Sequence, residues 1–67
     1  MIQIVVNGED KKIEENTTIQ ELLERLEIAD KTMASAVNMD VVKKEQWDKH
    51  TLKEGDKVEF LHFVGGG

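Results

Sequence analysis

Residues 2–26, IQIVVNGEDKKIEENTTIQELLERL, decide the fold, because the spacing of their apolar side chains changes once along the stretch. Residues 2–6 show the period-2 pattern of a half-buried β-strand. The dipeptide Asn7-Gly8 is typical of a two-residue hairpin, since a type I′ turn needs positive φ at both of its central positions. The return strand is short and polar, with Ile13 as its inward anchor. The first alternating strand turns three side chains to one face: Ile2, Ile4 and Val6.

A helix is predicted directly after this hairpin. Its apolar residues recur at i, i+3, i+4 and i+7, which forms one stripe on a helix surface. Thr18 followed by Glu21 fits a capping box, and Thr17 with Gln20 offers an alternative register for the same motif. The stripe consists of Ile19, Leu22, Leu23 and Leu26.

The middle of the chain, MASAVNMDVV at residues 33–42, predicts a strand of small residues, a tight turn and a short second strand. Ala34, Ala36 and Val37 are predicted to pack beneath the helix. The turn is placed at 38–40, where Asn and Asp favour tight turns. The segment KKEQWDKH that follows is too short for a full helix and is interpreted as a helical turn or an irregular connection, with Trp47 packed in the core or at its edge.

The last strand, KVEFLHFV at residues 57–64, follows a turn at Glu54-Gly55-Asp56. Its alternation predicts Val58 and Phe60 on one face and Glu59, Leu61 and Phe63 on the other. The element order is therefore strand, strand, helix, strand, short strand, strand. A hairpin and one helix crossing over to further strands give an α+β domain with a mixed sheet and one main helix on one face. This is the arrangement of the ubiquitin-like β-grasp fold.

Composition limits what such a chain can do. Its 67 residues are enough for one small core and no enclosed cleft. Fourteen carboxylates against nine Lys and Arg give a net charge of −5, which argues against nucleic acid as a partner. The same charge suits a basic surface on another protein, or simply keeps a small domain soluble. No apolar run approaches a membrane span and no signal peptide is recognised, so a cytoplasmic location with no membrane partner is expected.

No set of catalytic or metal-binding residues emerges from the sequence. There is no phosphate-binding glycine loop leading into a helix and no cysteine. His50 and His62 lack a partner at metal-ligand spacing, and Ser35 has no base near it in sequence. We therefore expect no intrinsic catalysis, no metal and no bound cofactor.

The chain closes on three glycines, Gly65, Gly66 and Gly67. They are either a frayed end or a tail whose terminal carboxylate is the functional group. A carboxylate is a poor electrophile, so acyl chemistry there requires activation by another enzyme, for example as an acyl-adenylate. Three glycines reach about 10 Å and have no side chain to obstruct a narrow channel. We divide the chain accordingly into a domain at 1–64 and a glycine tail at 65–67.

The sequence resembles the bacterial thiamine-biosynthesis sulfur carriers, ubiquitin-like proteins of the β-grasp fold. The matching segments are IVVNGE, TTIQELLERL, AVNMDVVKKEQW, LKEGDKVEFLHFV and the terminal Gly-Gly, in the same order over nearly the whole chain. In that family an E1-like enzyme consumes ATP to adenylate the terminal glycine, and sulfur then replaces AMP to give a thiocarboxylate. The thiazole synthase uses this sulfur to build the thiazole ring.

The resemblance implies roles for particular residues and partners. Gly67 would bear the activated carboxyl group, Gly66 completes the diglycine, and Gly65 acts as a spacer. Independently of the resemblance, strand alternation places Leu61 and Phe63 on the sheet face without a helix, and this exposed apolar pair is predicted to bind a partner protein. The partners implied are the E1-like adenylating enzyme, the thiazole synthase and a sulfur donor such as a cysteine desulfurase, and the free carrier is expected to be a monomer.

Two kinds of alternative remain open at this point. Carriers for molybdopterin, homocysteine or cysteine synthesis and ubiquitin-like protein modifiers end in the same diglycine. The chain could also be a β-grasp interaction module without chemistry of its own.

Overall fold

The computed structural model describes residues 1–62. In it the hairpin, the helix and three further strands follow one another in the order that the sequence predicts. The elements are β1 (Ile2–Val6), β2 (Glu9–Ile13), α1 (Ile19–Arg25), β3 (Thr32–Val37), β4 (Asp40–Val42), a 3₁₀ helix (Lys44–Gln46) and β5 (Lys57–His62). The described strands form one sheet in the order β2-β1-β5-β3-β4. β5 lies at its centre, parallel to β1 and antiparallel to β3. The predicted α+β class and mixed sheet are confirmed.

Two tight turns set the registers of the two hairpins. Asn7 and Gly8 have φ of 48° and 85°, the positive values that a type I′ turn requires. Asn38 and Met39 have φ of 52° and 73° and join β3 to β4 in the same way. The tight turn predicted at residues 38–40 is therefore present, with Asp40 already the first residue of β4.

Helix α1 begins with the predicted capping box. The Thr18 hydroxyl accepts a hydrogen bond from the Glu21 backbone N–H at 3.1 Å, and the Glu21 carboxylate accepts one from the Thr18 N–H at 3.0 Å. The alternative register with Thr17 as the cap is not the one adopted. The Thr18 hydroxyl also donates to the Glu21 carboxylate at 3.2 Å. The bond from the Thr18 backbone N–H, and then the one donated by its hydroxyl, hold the pKa of Glu21 below its ordinary value. The stability that these bonds add to the folded protein is fully present above the pKa that Glu21 has in the unfolded chain. It is lost as the pH falls through the lower pKa that Glu21 has in the folded protein.

One side of the sheet, which we call the core face, is covered by α1 and the segment after β4. Trp47 is fully buried there, and its indole Nε1–H donates to the Val42 carbonyl oxygen at 3.0 Å. This confirms a packing role for the tryptophan. Leu26, the last residue of the predicted stripe, caps the helix and is partly buried. The buried apolar residues are Ile4, Val6, Ile13, Ile19, Leu22, Leu23, Val37, Trp47, Leu52, Val58 and Phe60.

The prediction that Ala34 and Ala36 pack beneath the helix was wrong. Strand pairing places Ser35 opposite Phe60, and both are buried on the core face. The two alanines alternate with Ser35 and therefore lie on the opposite face, half-buried. A register shift between Thr32 and Ala34 interrupts the regular alternation at the start of β3. Val37, the third residue of that prediction, is buried on the core face as expected.

Candidate functional site

The last strand determines where the predicted tail leaves the domain. Of the predicted site residues, Leu61 lies within the described part of the chain and is 64% exposed. Phe63, Gly65, Gly66 and Gly67 lie outside the described residues, as does the proposed division of the chain at residue 64. The predicted face alternation is confirmed as far as it can be followed: Val58 and Phe60 are buried, while Glu59 and Leu61 are exposed.

β5 is hydrogen-bonded on both sides until just before Leu61. On one side it pairs with β3 from Val37 to Thr32. On the other side β1 ends at Val6, and the side chain of Asn7 continues the pairing by accepting a bond from the Phe60 N–H at 2.8 Å. Asn7 therefore supplies the hairpin turn and also satisfies a donor of the central strand, which would otherwise lose its partner where β1 turns away.

A second asparagine fixes the other end of β5. Asn38 accepts a bond from the Lys57 N–H through Oδ1 at 3.0 Å and donates through Nδ2 to an Asp56 carboxylate oxygen at 3.1 Å. Its own backbone N–H donates to the Lys57 carbonyl oxygen at 2.7 Å. Local sequence patterns identified both asparagines as turn residues only. Their bonds to β5 reach across 19 or more positions, so no local pattern could have revealed them.

The face of the sheet opposite α1, which we call the open face, carries an apolar patch beside the end of β5. We define the open-face patch as Ala34, Ala36, Val41 and Leu61. Ala34 pairs with Leu61 and Ala36 with Val41, so the four lie on three adjacent strands. Val41 and Leu61 are 74% and 64% exposed, and the patch lines a hollow of about 300 Å³. Over residues 1–62 no helix covers the open face. This agrees with the prediction that Leu61 lies on the sheet face without a helix.

Two features are absent from the described residues: a cluster of metal-ligating side chains and a helix able to span a membrane. Between Met1 and His62 no three His, Cys, Asp or Glu residues lie together as a metal site would require. Over the same range no helix has the length and apolar character needed to cross a membrane. The buried Ser35 hydroxyl has no hydrogen-bond partner in the described structure, so no described group holds it as a base would.

Comparison with known proteins gives a consistent family match. The model of the ThiS family matches residues 4–67. The sulfur carrier protein ThiS of Bacillus subtilis (strain 168) is 37% identical over 68 residues, which cover 100% of both chains. A thiazole synthase of Paramagnetospirillum magneticum is 30% identical over 66 residues. That match covers 98% of this chain and 20% of the synthase, so the chain spans one-fifth of that relative.

A solved structure agrees with the architecture. The crystal structure of the thiamine biosynthesis protein ThiS from Geobacter metallireducens superimposes with a TM-score of 0.81 at 36% identity. The match covers 98% of this chain and 100% of that one. The β-grasp arrangement expected from the sequence and the resemblance to thiamine-biosynthesis sulfur carriers are both confirmed.

Proposed function

Because this chain belongs to the ThiS family, we propose that it is a sulfur carrier of thiamine biosynthesis whose working group is the carboxylate of Gly67. The observation that carries the proposal is the family match over residues 4–67, which includes the terminal glycines. The carrier is a co-substrate of other enzymes and has no turnover of its own. It binds no cofactor, and the ATP that drives its chemistry is bound by a partner.

The chemistry at Gly67 proceeds in two steps. The carboxylate attacks the α-phosphorus of ATP in the active site of an E1-like enzyme, forming an acyl-adenylate and releasing pyrophosphate. A donor such as a cysteine desulfurase then supplies sulfur as a persulfide, which a thiol reductant converts to sulfide and a disulfide; the sulfide attacks the acyl carbon and displaces AMP. The thiocarboxylate that results carries sulfur to the thiazole synthase. Activation is needed because a carboxylate accepts a nucleophile poorly until one oxygen becomes part of a leaving group.

The fold supports this chemistry by separating a rigid base from a narrow tail. β5 is the central strand and is hydrogen-bonded on both sides until Leu61. The tail of Gly65, Gly66 and Gly67 extends the reach of the chain by about 10 Å with no side chain to obstruct a channel. A domain of this size therefore stays outside the partner's active site while the carboxylate enters.

The partners follow from the same proposal. An E1-like adenylating enzyme, a sulfur donor and a thiazole synthase act on the carrier in turn, in the cytoplasm, and the free carrier is a monomer. The similarity of this chain to one-fifth of a protein named thiazole synthase supports the thiazole synthase as a partner. In that relative, a segment similar to this chain is part of the same polypeptide as the rest of the synthase. The net charge of −5 disfavours nucleic acid as a partner and favours a basic protein surface.

The open-face patch is where the adenylating enzyme docks, with Leu61 and Phe63 as contacts. Leu61→Ala is expected to weaken binding of that enzyme by about 1–3 kcal/mol, the effect typical of an apolar interface anchor. The fold should be unchanged, because Leu61 is 64% exposed and contributes little to the core. Isothermal titration calorimetry measures the dissociation constant, and Gln3→Ala, an exposed β1 position on the same face, is the matched control. Equal binding by wild type and Leu61→Ala would place the docking surface elsewhere.

A reconstitution assay tests the proposed function. A mixture of adenylating enzyme, ATP, sulfur donor and thiazole synthase should form the thiazole product only when this chain is added. A chain that supports molybdopterin or homocysteine synthesis in parallel mixtures, and not thiazole formation, would assign it to another sulfur pathway. A chain that supports none of them would leave it without a carrier role.

A further inference from the structure

A carboxylate lies beside the open-face patch, at its border with a lysine of the same strand. Glu59 is on β5, between Lys57 and Leu61 on the same face, and its Cα partner on β3 is Ala36. Ala36 in turn pairs with the exposed Val41 of β4. An apolar docking surface gains most from residues that give up water easily, and a carboxylate is among the costliest groups to desolvate. A partner that covers the open-face patch therefore loses binding free energy at Glu59 unless it compensates the charge.

Glu59 also separates two hollows of the same face. The hollow of about 300 Å³ lies on the side of the open-face patch and includes Glu59 in its lining. A second hollow, of about 410 Å³, lies on the other side, and Glu59 lines it too, together with Val5, Met39 and Lys57. Met39 is 90% exposed at the tip of the β3–β4 hairpin. A partner that fills both hollows with apolar side chains must cover the carboxylate between them.

The carboxylate is not neutralised within the described structure. Strand register places three other charged residues on the open face: Asp10, Lys12 and Lys57. Neither of the two lysines lies within ion-pair distance of Glu59. The ion pair found over residues 1–62 joins Arg25 to Glu14. No hydrogen bond to the Glu59 carboxylate is formed by another described residue. In the free carrier this group is therefore exposed to solvent and available to an external cation.

We propose that Glu59 pairs with an arginine or lysine of the protein that docks on the open face, between two apolar contacts that fill the flanking hollows. The inference rests on the proposed function, since it names the chemistry by which the adenylating enzyme recognises this carrier. Covering a carboxylate without a cation leaves a desolvated, unpaired charge, so a partner that lacks the basic residue is rejected. The overall charge of −5 attracts basic surfaces in general, and Glu59 selects among them by position.

Charge removal at Glu59 tests the pairing. Glu59→Gln keeps the shape of the side chain and removes its charge, and Asp10→Asn removes one charge from the same face at the edge strand β2. By titration calorimetry, Glu59→Gln should weaken binding of the adenylating enzyme at least about 10-fold, and Glu59→Lys more. Asp10→Asn should change it by less than about 2-fold, as expected for a screened peripheral charge. The loss for Glu59→Gln should shrink as salt is raised, whereas a purely steric role would not change with salt.

The outcomes separate this inference from the proposed function. Urea unfolding first establishes that each variant folds like wild type, as expected for exposed positions. If Glu59→Gln binds like wild type, or no worse than Asp10→Asn, the pairing is overturned. The wild-type chain should gain sulfur at saturating adenylating enzyme whatever the result for Glu59. If the wild-type chain neither binds that enzyme nor gains sulfur, the proposed function fails and the pairing falls with it.

Discussion

One alanine added after Gly67 is expected to slow adenylation by at least about 100-fold while leaving the fold unchanged. The addition moves the terminal carboxylate by up to about 3.5 Å, which is longer than a hydrogen bond. Attack on the α-phosphorus of ATP needs close alignment, and a misplacement of about 1 Å already costs on the order of 10²-fold. The core formed by the described residues lies between Ile4 and Phe60, so an addition after Gly67 is expected to leave it intact. Pyrophosphate release under single-turnover conditions measures the rate.

The control for this experiment is the extended chain trimmed back to Gly67 by a carboxypeptidase, which should regain the wild-type rate. A second control carries the alanine before Met1, at the other end of the chain. An extended chain that is adenylated at the wild-type rate without trimming would contradict the assignment of Gly67 as the reacting residue. The three glycines would then be an unspecialised end of the chain.

Replacement of Trp47 by alanine is expected to lower the free energy of unfolding by about 3–5 kcal/mol, the usual loss for a buried tryptophan. Trp47 is 0% exposed, and its indole N–H bonds the Val42 carbonyl oxygen at 3.0 Å, which joins the segment after β4 to the sheet. A domain of 67 residues has few other large core side chains to compensate. Urea unfolding followed by circular dichroism measures the change, since the variant lacks the fluorescent tryptophan.

Trp47→Phe is the matched variant, because it keeps most of the buried apolar volume and removes the hydrogen bond. It should lose clearly less stability than Trp47→Ala. A loss below about 1 kcal/mol for Trp47→Ala would be the effect of an exposed side chain and would contradict the buried position of the indole.

The elements governed by local physics were predicted well. Asn7-Gly8 allows positive φ at both positions, so it fixed the first hairpin register in advance. The capping box at Thr18 and Glu21 set the start of α1. The four apolar residues of the helix stripe gave a clear period. In each case the structure is determined by a few residues that are close together in the sequence.

The features that were missed depend on distant residues. Ala34 and Ala36 were assigned to the wrong face, because in MASAV the small residues give little contrast between faces. Strand pairing with β5 decided the matter by placing Ser35 opposite Phe60. The bonds from Asn7 and Asn38 to β5 likewise appear only once the sheet is assembled. The central place of β5 depends in the same way on its pairing with β1 and β3, which periodicity along the chain does not reveal.

The candidate site was predicted partly by pattern and partly by resemblance. Alternation along the last strand identified Leu61 as an exposed apolar residue, and the structure confirms its exposure. The binding role of Leu61 and Phe63 stays a prediction that rests on their exposed apolar face, and the roles of the three glycines stay predictions that rest on the family. Glu59 was assigned correctly to the open face, but its position between two hollows follows from residues on β1, β3 and β4.

The most direct test of the central claim is the mass of the intact chain after incubation with its adenylating enzyme, ATP and a sulfur donor. Replacement of one carboxyl oxygen by sulfur should add about 16 Da, as the proposed acyl chemistry requires. Fragmentation should locate the added mass on Gly67, and omission of ATP should abolish it. A chain whose mass does not change in the complete mixture, or whose added mass lies on another residue, would contradict the account.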